Sequence, residues 1–303
     1  MELRHLRYFA AVVETESFTR AAEQMLIAQP AMSKQILDLE RELGTTLFVR
    51  GAKGVSITAA GSRFYSDAKE ILRLSEESVE NARRAANGEI GSLSIGFFSS
   101  PTARFLAALV NQYKSKYPSV SIKLHELNPN KLLAGLIDGS LDIAFNRPVD
   151  VAEGNLLGKV ELFKEQIKAV VPLNHRLNKK IIKIEEIRGE NLVLLQREAA
   201  AGLFDQITSF CLTNGFSPRV SATAERMSTV LTLVASGLGI GLVPETVQNI
   251  DYQGLHFMQI KPKAPLLSLE CQWLKPLHSP TTRAFLAILQ EAKPVIAKSF
   301  IQF

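Results

Sequence analysis

The sequence has 303 residues, of which 46% are hydrophobic and 21% are charged, enough apolar material for more than one buried core. No stretch approaches the ~18 uninterrupted apolar residues of a membrane span, and the polar, basic start is unlike a signal peptide, so we expect a cytoplasmic chain with no membrane partner. The formal net charge is +5, but residues 1–60 carry equal numbers of basic and acidic side chains, so bulk charge alone does not indicate nucleic acid.

Three amphipathic helices are predicted in the first 43 residues. Apolar residues recur at helical spacing over residues 3–13 and again over 18–25, where Ser17 is a suitable N-cap. Residues 26–28 form a turn, and Pro30 suits the first turn of the third helix, where its missing N–H is not needed. The predicted buried stripe of that helix is Met32, Ile36 and Leu39. The last two helices form a helix-turn-helix pattern, although the pattern alone also fits an ordinary pair of amphipathic helices.

The exposed face of the third helix carries side chains that can hydrogen-bond base edges or phosphates in a major groove. Gln29, Ser33 and Lys34 would read base edges in the groove or position the helix on it. Pro30 and Ala31 would shape the start of the helix or touch a thymine methyl group. This face therefore predicts double-stranded DNA as a partner.

A hairpin wing is predicted after the third helix. Gly44 can end that helix in a left-handed conformation. Two short strand-like runs between residues 45 and 58 then flank a tip rich in glycine and basic residues. Thr58 is placed to cap a long helix.

A few cations on one surface attract phosphate even where the net charge is zero. Arg20, Lys34, Arg50 and Lys53 would share such a surface, with the last two holding phosphate. Three carboxylates are expected towards the far end of the third helix: Asp38, Glu40 and Glu42.

Residues 1–64 resemble the winged helix-turn-helix of the LysR-type transcriptional regulators. The matching motifs are LRYF (6–9), SFTRAA (17–22), QPAMSKQI (29–36), LE (39–40), LG (43–44), LFVR (47–50) and TAAG (58–61). The opening MELRHLRYF is also similar to regulators of aromatic-compound catabolism within that family. The resemblance implies a DNA-binding regulator with a winged helix-turn-helix domain at residues 1–58.

A linker helix is predicted over residues 59–88. Small and apolar residues follow a 4-3-4-4-3-4 spacing that approximates a coiled-coil seam. The seam residues are Phe64, Ala68, Ile71, Ser75, Val79, Ala82 and Ala86. We favour a dimer through this helix, although the helix could instead lie on the chain's own second domain. In the family that the chain resembles, such dimers pair into tetramers.

Strands and helices alternate from residue 89 onward. Strands are predicted at 93–98, 120–125, 141–145, 166–172, 191–195, 218–224, 240–243 and 267–274, and helices at 101–117, 129–138, 202–214, 226–236 and 281–298. This α/β alternation predicts a mainly parallel sheet covered on both faces. The resemblance implies a periplasmic-binding-protein-like effector domain over 89–303. Its subdomain I would comprise 89–162 and 267–303, and its subdomain II 163–266, joined by two crossing strands.

Two features could indicate other chemistry, and neither is favoured. The glycine-rich segment 234–244 matches the family's glycine-rich turn, and because a helix precedes it and a strand follows, it fits a helix C-cap and tight turn better than a phosphate loop. Cys211 and Cys271 are far apart, unlike the closely spaced cysteines of the family's peroxide sensors, so buried thiols are expected. The five histidines lack metal-ligand spacing, and we expect no metal and no cofactor.

An effector would bind where the strands end. Ser99, Ser100 and Thr102 follow the first strand at a helix start, which suits a carboxylate. Asn128 follows the second strand, and Arg147, after the third, could pair with a carboxylate. The other predicted effector-binding residues, from subdomain II, are Phe204, Met227 and Ser228, and Arg226 beside them would also face the cleft.

Several of these residues have ordinary alternatives. Ser100 could merely cap a helix, and Phe204 could be a core residue of its own helix. Arg147, Arg197 and Arg226 could be surface or ion-pair residues. By position, five residues match the inducer-contacting segments of the family: Ser99, Ser100, Asn128, Met227 and Ser228.

The sequence therefore predicts a ligand-responsive regulator whose small effector, a carboxylate, binds between two α/β subdomains. One alternative is a small-molecule-binding module whose N-terminal helices only oligomerise. The other is an α/β enzyme, but no carboxylate pair and no nucleophile–base pair stands out at the strand ends.

Overall fold

The computed structural model describes residues 1–51, 54–148, 155–250 and 252–301. The chain divides into two compact units, Met1–Arg84 and Ala85–Phe303. Each unit has its own hydrophobic core, as the length and composition predicted.

The first unit is a three-helix core with a hairpin and a long helix. Its elements are α1 Leu3–Thr15, α2 Phe18–Gln24, α3 Gln29–Leu43, β1 Phe48–Gly51, β2 Gly54–Ile57 and α4 Ala59–Ala86. Ser17 Oγ accepts the N–H of Arg20 at 3.3 Å, and Gly44 ends α3 with φ +66°. The predicted stripe of α3 is fully buried: Met32, Ile36 and Leu39. The winged helix-turn-helix prediction is confirmed.

Helix α4 begins at the cap that the sequence predicted, since Thr58 Oγ1 accepts the N–H of Gly61 at 2.9 Å. Of the predicted seam, Phe64 and Ala68 pack against the core of the first unit. Ile71 and Val79, farther along, are 38% and 51% exposed. The first part of the seam therefore serves the chain's own core, and the apolar residues farther along face solvent.

Within the described residues, the second unit contains two sheets. Its strands are β3 Ile90–Phe97, β4 Ser119–Glu126, β5 Ile143–Asn146, β6 Leu157–Glu165, β7 Ile167–Pro172, β8 Ile181–Lys183, β9 Asn191–Leu195, β10 Arg219–Ala224, β11 Ile240–Pro244, β12 Leu255–Lys261 and β13 Leu267–Leu274. One sheet has the order β4-β3-β5-β13-β6, and the other β10-β9-β11-β7-β12-β8. We name the part built on the first of these sheets lobe I and the part built on the second lobe II.

Both sheets are mixed, which corrects the prediction of a mainly parallel sheet. In lobe I, β3 pairs in parallel with β4 and β5, but β13 is antiparallel to β5 and β6. In lobe II, β7 is antiparallel to β11 and β12. The strands that carry the chain between the lobes, β6, β7, β12 and β13, all have antiparallel neighbours. They are not linked by the helical crossovers that make neighbouring strands parallel.

The chain crosses between the lobes twice, at Gln166 between β6 and β7 and again between β12 and β13. Strands β6, β8 and β12 were not among the strands that the sequence predicted. Strand β6 stays in the lobe I sheet as far as Glu165, beyond the predicted end of subdomain I at 162, because Phe163 still packs into the lobe I core.

The helices of the second unit are α5 Ser99–Thr102, α6 Leu106–Lys116, α7 Pro129–Ile137, α8 Ala201–Thr213, α9 Met227–Ala235 and α10 Pro280–Ile301. Two 3₁₀ turns lie at Ile184–Ile187 and Glu245–Asn249. The predicted helix 101–117 is interrupted, and the interruption places the buried ring of Phe105 against Phe145, 5.4 Å between centroids. Gly237 and Gly239 lie in the turn between α9 and β11 with positive φ, as the predicted C-cap and turn require.

Candidate functional site

The first candidate surface is the exposed face of α3. Gln29, Pro30, Ala31 and Lys34 are exposed, and Ser33 is half-buried. The Nε2 of Gln29 donates to Ser33 Oγ at 3.0 Å, so these two side chains form one polar group. Because the opposite stripe of α3 is fully buried, this face is fixed towards solvent.

Three of the four cations that were predicted to share the DNA-facing surface lie on described elements. Arg20, on α2, is exposed and its guanidinium donates to the carbonyl of Thr15. Arg50, on β1, is exposed and stacks over the ring of Phe18, 4.7 Å from its centroid. Lys34 has no ion-pair partner in the described part of the chain. Lys53 lies outside the described residues.

The second candidate site is a cleft of about 530 Å³ between lobe I and lobe II. Six of the eight predicted effector-binding residues line it: Ser99, Ser100, Asn128, Arg147, Met227 and Ser228. Its walls also include apolar side chains from both lobes, among them Phe98, Leu133 and Leu195. The strand ends thus bring together residues that are up to 129 positions apart, Ser99 to Ser228.

Thr102 and Phe204 do not line the cleft. Thr102 is fully buried, and its hydroxyl donates to the carbonyl of Phe98 at 2.9 Å. Phe204 packs against the core of lobe II, in agreement with the alternative that it is a core residue of its own helix. Sequence spacing placed both residues near the strand ends but did not determine the direction of their side chains.

Three helices of nine or more residues, α7, α8 and α9, begin at the cleft, in addition to the four-residue α5. Asn128 caps α7 by accepting the N–H of Lys131 at 2.9 Å. Helices α8 and α9 begin after Ala200 and Arg226, and neither has a side-chain cap. All these residues line the cleft, so uncapped N–H groups and the positive ends of the helix dipoles surround it.

The three arginines for which the sequence left alternatives have different environments. Arg147 forms an ion pair with Glu165. Arg197 forms two 2.8 Å hydrogen bonds to Asp205, which raise the pKa of Arg197 and lower that of Asp205, and it does not line the cleft. Arg226 lines the cleft and makes no side-chain hydrogen bond or ion pair with any described residue.

Five further polar residues line the cleft that were not among the predicted effector-binding residues: Glu126, Asn130, Lys131, Asn146 and Glu225. Asn130 Nδ2 donates to the carbonyl of Glu198 at 2.7 Å and so joins lobe I to lobe II. Asn130 and Lys131 stand in the first turn of α7, so the cap-like Asn128-Pro129 was a usable signal. Glu126 is the last residue of β4, and Glu225 directly follows β10. Their positions at strand ends were the signal that could have identified them.

Both thiols are free, and burial raises the pKa of Cys211 to about 11 and raises that of Cys271 as well. Among the described residues there is no group of acidic, histidine or cysteine side chains that could hold a metal ion. The helices in the described ranges are too short or too polar to cross a bilayer.

Comparisons with known proteins agree with this layout. The model of the bacterial regulatory helix-turn-helix protein, lysR family, matches residues 3–62, and that of the LysR substrate binding domain matches residues 86–294. The chain is 33% identical to the HTH-type transcriptional regulator AlsR of Bacillus subtilis (strain 168) over 293 residues, 95% of each chain. It is also 33% identical to the Hca operon transcriptional activator HcaR of Escherichia coli (strain K12), over 96% of this chain and 98% of that one.

The crystal structure of full-length CbnR complexed with its target DNA superposes with a TM-score of 0.78 and 26% identity, covering 97% of this chain and all of the other. These relatives are regulators and not enzymes, which decides against the α/β enzyme alternative. With a matching DNA-binding domain and a matching substrate-binding domain, the chain belongs to the LysR family of DNA-binding transcriptional regulators.

Proposed function

We propose that this regulator is switched by a small carboxylate that binds in the cleft between lobe I and lobe II. The observation that carries the proposal is the convergence of the N-termini of α7, α8 and α9 on the cleft, of which α8 and α9 have no side-chain cap. An anion at such a position accepts free N–H groups and is stabilised by the helix dipoles. Arg226, which has no partner among the described residues, supplies the matching charge.

The remaining lining residues define what kind of carboxylate fits. Ser99, Ser100 and Asn128 offer hydrogen bonds from lobe I, and Ser228 offers one from lobe II. Apolar side chains in the same walls would cover the body of the ligand. The similarity of the N-terminal segment to regulators of aromatic-compound catabolism places aromatic acids first in the panel to be tested.

The first unit would hold the operator through the residues predicted from the sequence. Gln29, Ser33 and Lys34 would contact the major groove, with Pro30 and Ala31 at the start of α3. The phosphate contacts would come from Arg20, Arg50 and Lys53. We place this activity in the cytoplasm, where the DNA is.

The assembly that we propose is a dimer through α4 that pairs into a tetramer. The exposed apolar residues of α4, Ile71 and Val79 in the seam and Leu74 beside it, supply the surface for a second copy. Effector binding would shift the two lobes and change the spacing of the DNA-binding units. This requires that the effector bind the two states with unequal affinity.

The effector proposal is tested by thermal unfolding of the full chain with benzoate, other aromatic acids and aliphatic acids. A ligand at ~100 times its dissociation constant adds ~2.7 kcal/mol to the free energy of unfolding. We expect Arg226→Ala to abolish the shift and Arg197→Ala, which removes the same charge outside the cleft, to retain it. An equal shift with the corresponding carboxamides would contradict an anionic effector.

The DNA contacts are tested separately with the Ser33→Ala/Lys34→Ala variant. We expect its affinity for an operator to be lost. The salt dependence of the remaining, non-specific binding should weaken, because the variant lacks the cation of Lys34. Lys183→Ala, an exposed lysine of lobe II, is the charge-matched control. Wild-type affinity in a folded double variant would contradict the placement of α3 in the groove.

A further inference from the structure

A single carboxylate joins the recognition helix to the hairpin in the first unit. Glu40 lies on α3, eleven residues after Gln29, and its Oε1 accepts the N–H of Leu47 at 2.6 Å and the N–H of Phe48 at 3.1 Å. Phe48 is the first residue of β1. The sequence predicted Glu40 only as one of three carboxylates away from the DNA surface, whereas the structure turns its side chain onto the hairpin.

The same segment is held from the other side by the start of α4. Thr58 donates its hydroxyl to the carbonyl of Thr46 and its N–H to the carbonyl of Leu47, both at 2.9 Å. A Cβ atom at Gly61 would overlap the Leu47 carbonyl, so α4 also approaches the segment at close range. Residues 46–48 are therefore a junction at which α3, the hairpin and α4 meet.

The junction leads directly to a proposed DNA contact. Arg50 follows Phe48 by two residues on β1 and lies over the ring of Phe18, and the ring of Phe48 packs 5.7 Å from the same phenyl group. The Glu40 hydrogen bonds thus tie the C-terminal part of α3 to the hairpin, and packing on Phe18 ties the hairpin to α2. Charge-assisted hydrogen bonds to backbone N–H groups are short and strong, which makes this link stiff.

We propose that Glu40 is a positioning residue for DNA binding. It would set the distance between the reading face of α3 and the hairpin, so that Lys34 and Arg50 meet the same duplex. The inference rests on the proposed phosphate contact of Arg50. A carboxylate in a DNA-binding unit repels phosphate by its charge alone, so this role predicts an effect opposite in sign to that of simple electrostatics.

The test compares Glu40→Ala and Glu40→Gln with Glu23→Gln in the full chain. Glu23 is an exposed carboxylate of α2 whose side chain has no hydrogen bond or ion pair among the described residues. The probe is a fluorescent duplex that the wild-type chain has enriched from a random-sequence pool, titrated between about 50 and 200 mM salt. Circular dichroism establishes that each variant is folded at the assay temperature.

We expect Glu40→Ala to bind about tenfold more weakly and to lose about 1 from the slope of log affinity against log salt, because the Arg50 phosphate contact is lost with the hairpin position. Glu40→Gln, whose amide oxygen can still accept both N–H groups but carries no negative charge, should fall between Glu40→Ala and the wild type. Glu23→Gln should bind as tightly as the wild type or more tightly. Glu40→Ala binding like Glu23→Gln would overturn the proposal.

A second comparison separates positioning from a loss of folded protein. In an Arg50→Ala background, Glu40→Ala should cost much less affinity than in the wild type, because both changes remove one contact. Full additivity, with no change in salt slope, would overturn the proposal. Wild-type affinity of Arg50→Ala alone would instead refute the phosphate contact, and this outcome is distinguishable because Glu40 is intact in that variant.

Discussion

Arg147 and Glu165 form a buried ion pair where the chain leaves the lobe I sheet. Their side chains are 14% and 2% exposed, and the second carboxylate oxygen of Glu165 accepts the N–H of Thr246, in lobe II, at 2.7 Å. Arg147 also donates to the carbonyl of Ser268 at 3.1 Å. Although Arg147 lines the cleft, its charge is compensated by the protein, so the positive charge for an effector must come from another residue such as Arg226.

Truncation of Arg147 should therefore act on stability. Arg147→Ala leaves the buried Glu165 carboxylate without its counter-charge, and we expect the free energy of unfolding of the second unit to fall by about 3 kcal/mol. Urea unfolding followed by fluorescence reports on this unit, because the single tryptophan, Trp273, lies on β13.

The control is Arg197→Ala, which breaks an exposed pair with Asp205 and should change the unfolding curve little. Adding Glu165→Gln to Arg147→Ala should recover part of the loss, since the buried charge is then removed. Equal midpoints for the wild type and Arg147→Ala would show that the pair has no net stabilising effect.

The turn between α2 and α3 contains a strained residue. Leu26 has φ +56° and is 92% exposed. Its Cβ atom makes this left-handed backbone conformation unfavourable, and burial of the side chain does not offset the cost. Leu26→Gly should raise the free energy of unfolding of the first unit by about 0.5–1 kcal/mol, the relief of strain less the entropy cost of glycine.

Gly44→Ala provides the opposite case. Gly44 has φ +66°, and a Cβ atom there would contact nothing within 4 Å, so the expected loss of about 1 kcal/mol comes from the backbone conformation alone. Thermal unfolding by circular dichroism measures both variants. Shifts of the same sign for Leu26→Gly and Gly44→Ala would disprove the strain argument.

The buried thiols predict resistance to oxidation and a pH-dependent stability. Burial raises the pKa of Cys211 from 9.0 to about 11 and raises that of Cys271, so thiolate is scarce at pH 8 in the folded chain. Neither thiol should react with a thiol reagent until denaturant is added. Since the unfolded thiols ionise first, the stability from these groups is full below pH 9 and is lost as the pH rises through about 11.

We expect both thiols to react with the reagent in denaturant and neither to react in the native chain. Rapid reaction of either cysteine in the native chain would show local opening at that residue. A change in effector response after mild peroxide treatment would favour the redox-sensor reading, which the sequence ranked below buried thiols.

Periodicity predicted the elements of the first unit because each helix there buries one stripe, as Met32, Ile36 and Leu39 do on α3. Six cleft residues were predicted from the strand ends and from the family resemblance, because parallel strands end at a common edge. Sequence patterns could not identify Glu165 as the partner of Arg147, because Arg147 follows β5, Glu165 ends β6, and the two lie 18 residues apart in the chain. Nor could they direct Glu40 to the hairpin, since that contact depends on the packing of α3 against residues 46–48.

The exposed half of the α4 seam predicts the oligomeric state. Ile71 and Val79 are 38% and 51% exposed in the single chain, and two such helices would cover each other's apolar residues. Ile71→Glu/Val79→Glu would place four carboxylates in that seam, two from each helix, and should halve the mass of the assembly measured by light scattering. Asn81→Glu is the control, because position 81 lies about 200° around the helix from Val79. If the double variant keeps the wild-type mass while folded, α4 is not the dimer interface, and the exposed residues of α4 need another explanation.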